Sequence, residues 1–215
     1  MANKIVTRDF QVFEVRNLLE SDLDAAKSLT DSEEWGNSKR DWLRLLNMST
    51  PLGAYDGDKL VGVTTAFNFG NLGMIGNVIV SENFRGNNIG SKLVIEAKNR
   101  LQSCTSVRVH SNMNSTRFYK KLGFTPEGMS TLFRLDAELK EFQPFAIDSD
   151  DNIVPAEGYL DEILEIDKRQ FGGDRSELIK DFIRNLPQCA FVALDENQVV
   201  KGFIVVKGDA DWYEV

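Results

Sequence analysis

Residues 80–101 read VSENFRGNNIGSKLVIEAKNRL. Between Arg85 and Gly90, four of six positions are Gly or Asn, and an amphipathic run begins at once. Leu93, Val94, Ala97, Leu101 and Cys104 recur on one face at helical spacing, and Met74 to Val80 ahead of the loop reads as a strand. A turn needs one or two flexible residues; this loop has more. The first amides of a helix have no internal partner, and the helix dipole puts partial positive charge there. Small residues let a ligand approach the backbone closely, and residues that accept positive φ let successive amides point inward. Strand, loop and helix therefore read as an anion seat, with Arg85 and Lys92 adding charge beside it. The bland alternative is a strand-to-helix turn that happens to hold Gly86 and Gly90. A P-loop is excluded because GxxxxGK[ST] is absent, and a dinucleotide fingerprint because GxGxxG is not met.

Working outward, Phe10 to Val15 alternates like a strand. S-x-x-D signals at Ser21 and Ser38 each announce a helix, the first carrying Leu23, Ala26 and Leu29, the second Trp42, Leu45 and Leu46. Leu52–Tyr55 and Lys59–Phe67 form a hairpin around Asp56-Gly57-Asp58, and Gly70-Asn71 marks another turn. Ser106–His110 is a short strand, Ser115–Lys121 a short helix, and Gly123–Leu135 a closing extended segment. The order predicts an α/β (α+β) domain over residues 1–140, with a mixed, mostly antiparallel central sheet and flanking helices. Glu138–Asn152 is polar and reads as a linker.

Residues 141–215 echo the front of the chain. Trp35-Gly36, a charged helix and AYDGDKLVGV run parallel to Phe171-Gly172, a charged helix and ALDENQVVKGF. The expectation is a partial second repeat or a C-terminal extension, packed on the first domain or on a partner subunit, so a homo-oligomer stays open. DADWYEV at the end looks like a strand.

The chain has 215 residues, 42% of them hydrophobic, which suffices for a real core. Its formal charge of −8 argues against a general nucleic-acid binder and suits a cationic substrate such as an amine. Cys104 and Cys189 form no CxxC pair, so no metal site or disulfide framework is expected. No stretch approaches the ~18 apolar residues of a membrane span, and MANKIVTRDFQVFEV has no leader pattern; the expected location is cytoplasmic.

VSENFRGNNIGSKL resembles the coenzyme-A-binding motif of GCN5-related N-acetyltransferases, R/Q-x-x-G-x-G/A between a strand and a long helix. Arg85 takes the first position, Gly90 the last, and Asn88 stands where the family usually has glycine. Asparagine is the next-best residue at left-handed φ, so the loop is expected to keep its shape. VHSNMNSTRFYKKLGF resembles the family's later motif, with Asn112, Ser115, Phe118, Tyr119 and Gly123-Phe124 in its positions. Together these cover roughly residues 10–137, and the tail resembles the opening of a second such domain.

The resemblance implies an acyl-CoA N-acyltransferase fold and acetyl-CoA as co-substrate, with no metal. Val78, Ile79 and Val80 would bond the pantetheine arm. Amides of Arg85, Gly86, Asn87, Asn88, Ile89, Gly90 and Ser91 would bind the diphosphate, with Asn112 and Tyr119 at the cofactor's edge. A neutral amine would attack the thioester directly, and Tyr119 is the candidate acid for the departing thiolate. The strands Lys59–Phe67 and Met74–Val80 carry no carboxylate, and Glu82 is expected to face solvent, which leaves His110 or ordered water to take the amine's proton. Trp35, Trp42 and a Phe67-Asn68-Phe69 turn stand where relatives shape the acceptor pocket; core packing is the alternative, and the better one for Trp42 on its helical face. Two readings compete with the enzyme: a non-catalytic acyl-CoA-binding or regulatory module, and an unrelated α/β protein with a fortuitous loop.

Overall fold

The computed structural model describes residues 3–6, 12–131, 152–208 and 213–214; Phe10, the linker up to Asp151 and Leu132–Leu135 of the closing segment lie outside them, and Asn152 opens a strand. The elements run β1 (Asn3–Val6), β2 (Val12–Asn17), α1 (Leu23–Asp31), α2 (Lys39–Met48), β3 (Thr50–Asp56), β4 (Lys59–Phe69), β5 (Leu72–Val80), α3 (Ile89–Arg100), β6 (Ser106–Val109) and α4 (Thr116–Lys121). After these come β7 (Asn152–Pro155), α5 (Leu160–Phe171), α6 (Ser176–Asn185), β8 (Phe191–Leu194), β9 (Val200–Ile204), β10 (Lys207–Gly208) and β11 (Tyr213–Glu214).

β1 to β6 form one sheet in sequence order, antiparallel except for the parallel β5–β6 pair. Its two faces bury separate cores. α3 lays Ile89, Leu93, Val94, Ala97 and Leu101 on Phe13, Leu52, Val61 and Ile75. α1 and α2 lay Ala26, Leu29 and Trp42 on Tyr55, Val63 and Ile79. Trp42 has no exposed surface, and its indole N–H donates to Thr30 Oγ1 at 3.2 Å, which fixes α2 against α1. Trp42 is therefore core rather than pocket.

The local signals explain most boundaries. Ser38 caps α2 as a full capping box, accepting from the Asp41 amide while Asp41 accepts from the Ser38 amide. The Asp56–Lys59 hairpin turns at Gly57, which takes φ +58. Ser21 does not cap its helix. A 3-10 turn spans Glu20–Asp22, and Asp22 instead accepts from the Leu19 amide and the Tyr55 hydroxyl, so α1 starts at Leu23. β1 carried no recognised signal. Phe67–Phe69 is not a turn: it pairs with Leu72–Met74 as the end of β4. Gly123–Thr131 pairs with no strand, and β6 is the last strand of this sheet among the described residues.

The tail has its own antiparallel sheet, β7-β8-β9, with α5 and α6 over Val192 and Leu194 through Ile163 and Ile179. Its element order matches β2-α1-α2-β3-β4. Both β3–β4 and β8–β9 shift register at one place, between Ala54 and Tyr55 and between Ala193 and Leu194, with Gly62 and Gly202 opposite the alanines. The tail also docks on the front sheet. Arg44 on α2 bonds Asp181 on α6 at 2.6 Å and lies over the Phe182 ring, and Arg40 bonds Asn185. At the other contact Phe171 meets Phe69 edge-on, and the Asp174 amide donates to the Phe69 carbonyl at 2.8 Å. Gly173 permits this approach: a Cβ there would stand 3.0 Å from Leu72 and Phe69.

Candidate active site

The site begins where β5 outruns its neighbour. β6 pairs with β5 only from Leu72 to Ile75, Val109 being its last partner, while β5 continues to Val80. Among the described residues the β5 edge from Gly76 onward therefore has no strand beside it on that side, so no strand there pairs with its amides and carbonyls. On the other side the β4–β5 register shifts between Val63 and Thr65, next to Asn77, which has φ +49. Val78 and Val80 are half-buried toward the α3 core, and Ile79 is buried on the opposite face.

Beyond Val80 a 3-10 turn at Glu82–Phe84 leads into the loop. Gly86 takes φ +84 and Asn88 φ +60, so two left-handed residues alternate with Asn87. Asn88 thus holds the conformation expected of a glycine there. α3 starts at Ile89, and its first intrahelical donor is Lys92, to the Asn88 carbonyl. No amide from Gly86 to Ser91 donates to protein among the described residues. The Arg85 amide is not part of this set, since it donates to the Glu82 carbonyl at 3.1 Å.

An open cleft of ≈ 320 Å³ lies in front of these amides, walled by Val80 and Phe84 on one side and Phe118 of α4 on the other. A Cβ on Gly90 would meet Phe118 and Val80 at 3.6 Å, an ordinary contact, so the fold accommodates a first side-chain carbon at this cleft-lining position. Amides without a protein partner among the described residues and two left-handed residues in the loop fit the diphosphate and pantetheine arm of a coenzyme A. Among the described residues no cluster of three or more His, Cys, Asp or Glu could hold a metal.

Arg85 does more than add charge. Its Nε donates to the Val80 carbonyl at 2.9 Å, and its outer nitrogen pairs with Glu33 from the α1–α2 loop. Glu33 thus places a negative charge beside the anion seat. Glu33→Gln is expected to tighten CoA binding roughly three- to tenfold, read as the dissociation constant. Unchanged or weaker binding would mean that the pair serves to hold the loop in its binding shape.

The other expected residues are dispersed. Tyr119 is buried, edge-on to Phe118 and Phe124, and burial pushes its hydroxyl up to about 12. That hydroxyl has no protein partner among the described residues, yet it is not sealed from solvent. Phe118, not Tyr119, lines the cleft. Asn112 caps the turn before α4, accepting from the Ser115 amide and hydroxyl. His110 is exposed one residue past the last β5–β6 pair, where the strands part. Glu82 is exposed, and Trp35 is 46% exposed on the α1–α2 loop. Nothing in the sequence singles out Phe84, one residue ahead of the motif's Arg85, or Glu33, which is 52 residues from its partner.

The profile of the acetyltransferase (GNAT) family matches residues 13–124, which run from β2 through α4 and contain the whole cleft. An uncharacterized N-acetyltransferase, YitH, of Bacillus subtilis (strain 168) is 25% identical over 135 residues, 62% of this chain. The chain spans 46% of that relative's length. A putative acetyltransferase from Pyrococcus horikoshii superposes on 90% of the chain and 67% of its own, with a TM-score of 0.63 at 18% identity. The structure of AAC(6')-Iy in complex with a bisubstrate analogue, CoA-S-monomethyl-acetylneamine, covers 58% of this chain and 99% of its own, with a TM-score of 0.50 at 13% identity. A family match over more than half the residues, on the elements that build the cleft, leads to one conclusion: this chain belongs to the GNAT acetyltransferase family.

Proposed function

We propose that the chain is an acetyl-CoA-dependent N-acetyltransferase that acetylates a primary amine of a small molecule or a protein by direct attack. The observation that carries this is the row of amides from Gly86 to Ser91, without a protein partner among the described residues, beside the part of β5 that β6 does not pair. The same-fold structure with a CoA–acetylneamine analogue supports the pairing of CoA with an amine acceptor. The co-substrate supplies the thioester; the chain supplies position and proton handling. Amides of Gly86–Ser91 hold the diphosphate, and the backbone of Val78–Val80 aligns the arm. A backbone amide on the same strand stabilises the oxyanion. A lysine-like amine, with a pKa of ~10.4, must shed a proton before it attacks. His110 is the candidate for taking it, with ordered water as the alternative route.

Tyr119 is assigned as the donor to the leaving thiolate. Held at about 12, it stays protonated across the working range. Tyr119→Phe is expected to lower kcat by about 100-fold with CoA affinity unchanged, equally at pH 6.5 and 8.5, as general acid catalysis predicts. The check is turnover on an amine panel beside CoA titration. Unchanged kcat would remove Tyr119 from the chemistry. CoA binding with no turnover by the native chain on any amine would favour the non-catalytic acyl-CoA-binding module.

Residues 1–140 are proposed as the catalytic domain and 141–215 as the first half of a second copy. The shared element order, the equivalent register shifts and the left-handed Gly36 and Gly172 after α1 and α5 support that reading. The location is proposed as cytoplasmic; among the described residues no helix is long and apolar enough to cross a membrane.

A further inference from the structure

The tail sheet has one covered face and one open face. α5 and α6 cover the first, where Val192 and Leu194 are buried with Ile163 and Ile179. The second carries Ile153, Phe191, Ala193, Gly202 and Ile204, which line an open groove of ≈ 240 Å³. Ile153 is 53% exposed and Ile204 42%. The front half shows what such a face needs. Ile153 pairs with Ala193 and Ala193 with Gly202, as Val15 pairs with Ala54 and Ala54 with Gly62. Val15, Leu52 and Ala54 are buried in the core that α3 closes, and a Cβ on Gly62 would stand 3.2 Å from Leu93 of that helix. A Cβ on Gly202 would meet nothing within 4 Å. The tail thus exposes the face that α3 buries in the front half.

Its edge is open as well. β4 pairs with β3 on one side and with β5, antiparallel, on the other; β9, its counterpart, pairs only with β8 among the described residues. Residues 199–206 read VVKGFIVV, an apolar edge with a single charge. That charge, Lys201, pairs with Asp195 at 2.9 Å. A partner for this surface therefore needs no countercharge. It needs aliphatic side chains for the groove and an unpaired antiparallel strand for the edge. A second copy of the chain presents both, related by a two-fold axis. With the axis at Phe203, Ile204 of each copy stands opposite Gly202 of the other and covers the space where that residue has no side chain.

We infer that the chain forms a symmetric dimer through β9 and the open face of the tail sheet. None of these residues lines the CoA cleft, so the inference stands apart from the proposed activity. Sedimentation equilibrium of the full chain from about 1 to about 200 µM is expected to show reversible dimers, with a dissociation constant of roughly 1–50 µM, in keeping with a small interface. Ile153→Lys/Ile204→Lys alters two exposed side chains and sets lysines against each other across the axis. It is expected to weaken the dimer by about 30-fold or more, with CoA affinity and the unfolding midpoint of the dilute protein unchanged. Each copy carries −8, so added salt is expected to tighten the native dimer. Amide hydrogen exchange within β9 is expected to slow as the concentration rises. A native chain that stays monomeric at about 200 µM overturns the inference. So does a dimer that survives the substitutions, one that salt dissolves, or exchange in β9 that ignores concentration.

Discussion

Gly90→Leu is expected to weaken CoA binding at least 100-fold while the protein folds as before. The expectation comes from what surrounds Gly90. A Cβ there meets Phe118 and Val80 at 3.6 Å, so the first carbon fits, and the rest of a leucine side chain extends into the cleft. It covers the amides of Gly90 and Ser91, neither of which has a protein partner among the described residues. Hydrogen bonds to a charged group are worth about 1.5–3 kcal/mol each, so losing two costs about 3–6 kcal/mol. At 1.4 kcal/mol per tenfold, that is 100-fold or more. The backbone of Gly90 is not left-handed, and leucine is a good helix former, so the unfolding midpoint should hold or rise slightly. Calorimetric titration alongside thermal unfolding checks both halves. A variant that binds CoA normally would place the diphosphate elsewhere.

The second large effect concerns the joint between the halves. Arg44→Ala is expected to destabilise the chain by about 3 kcal/mol. Arg44 is only 11% exposed in its side chain, and it bridges Asp41 of α2, at 2.7 Å, and Asp181 of α6, at 2.6 Å. Removing the cation leaves two carboxylates facing each other in a partly dry interface, and it strips the guanidinium from the Phe182 ring. Breaking a buried pair in this way costs about 3–5 kcal/mol; residual hydration of the carboxylates puts this case at the low end. For a chain of this size each kcal/mol moves the midpoint by about 2–4 °C, so a fall of roughly 6–12 °C is expected in differential scanning calorimetry. Pairing the change with Asp181→Asn should recover part of the loss, because one of the stranded charges then disappears. A midpoint within 2 °C of native would show that the halves do not depend on this contact.

Parts of this fold were legible because the chemistry is local. The Ser38 capping box, the Gly57 hairpin and the left-handed Asn88 each follow from a few adjacent residues, and each stands where the sequence puts it. The parts that were not legible depend on distant partners. Asp22 rather than Ser21 organises the start of α1 because the Tyr55 hydroxyl, 33 residues away, donates to it. From the sequence, Phe67-Asn68-Phe69 is expected as a turn after a strand ending at Phe67. It is a strand end whose Phe69 is covered by Phe171, an element the sequence could not place beside it. At the site, the loop was readable and its neighbours were not. The pairing of Arg85 with Glu33 and the wall formed by Phe118 arise only when α1, α3 and α4 come together on the sheet.

The most direct measurement is the thermal unfolding midpoint against rising acetyl-CoA, with free CoA and ATP in parallel. A ligand bound only by the folded state adds RT ln(1 + [L]/Kd), about 2.7 kcal/mol at 100 times Kd, whatever the acceptor. The account predicts a concentration-dependent rise with both CoA species, a much smaller one with ATP, and none for acetyl-CoA in Gly90→Leu. An unmoved midpoint at millimolar acetyl-CoA, or an equal rise with ATP, would contradict the assignment of the Gly86–Ser91 amides as a coenzyme A seat.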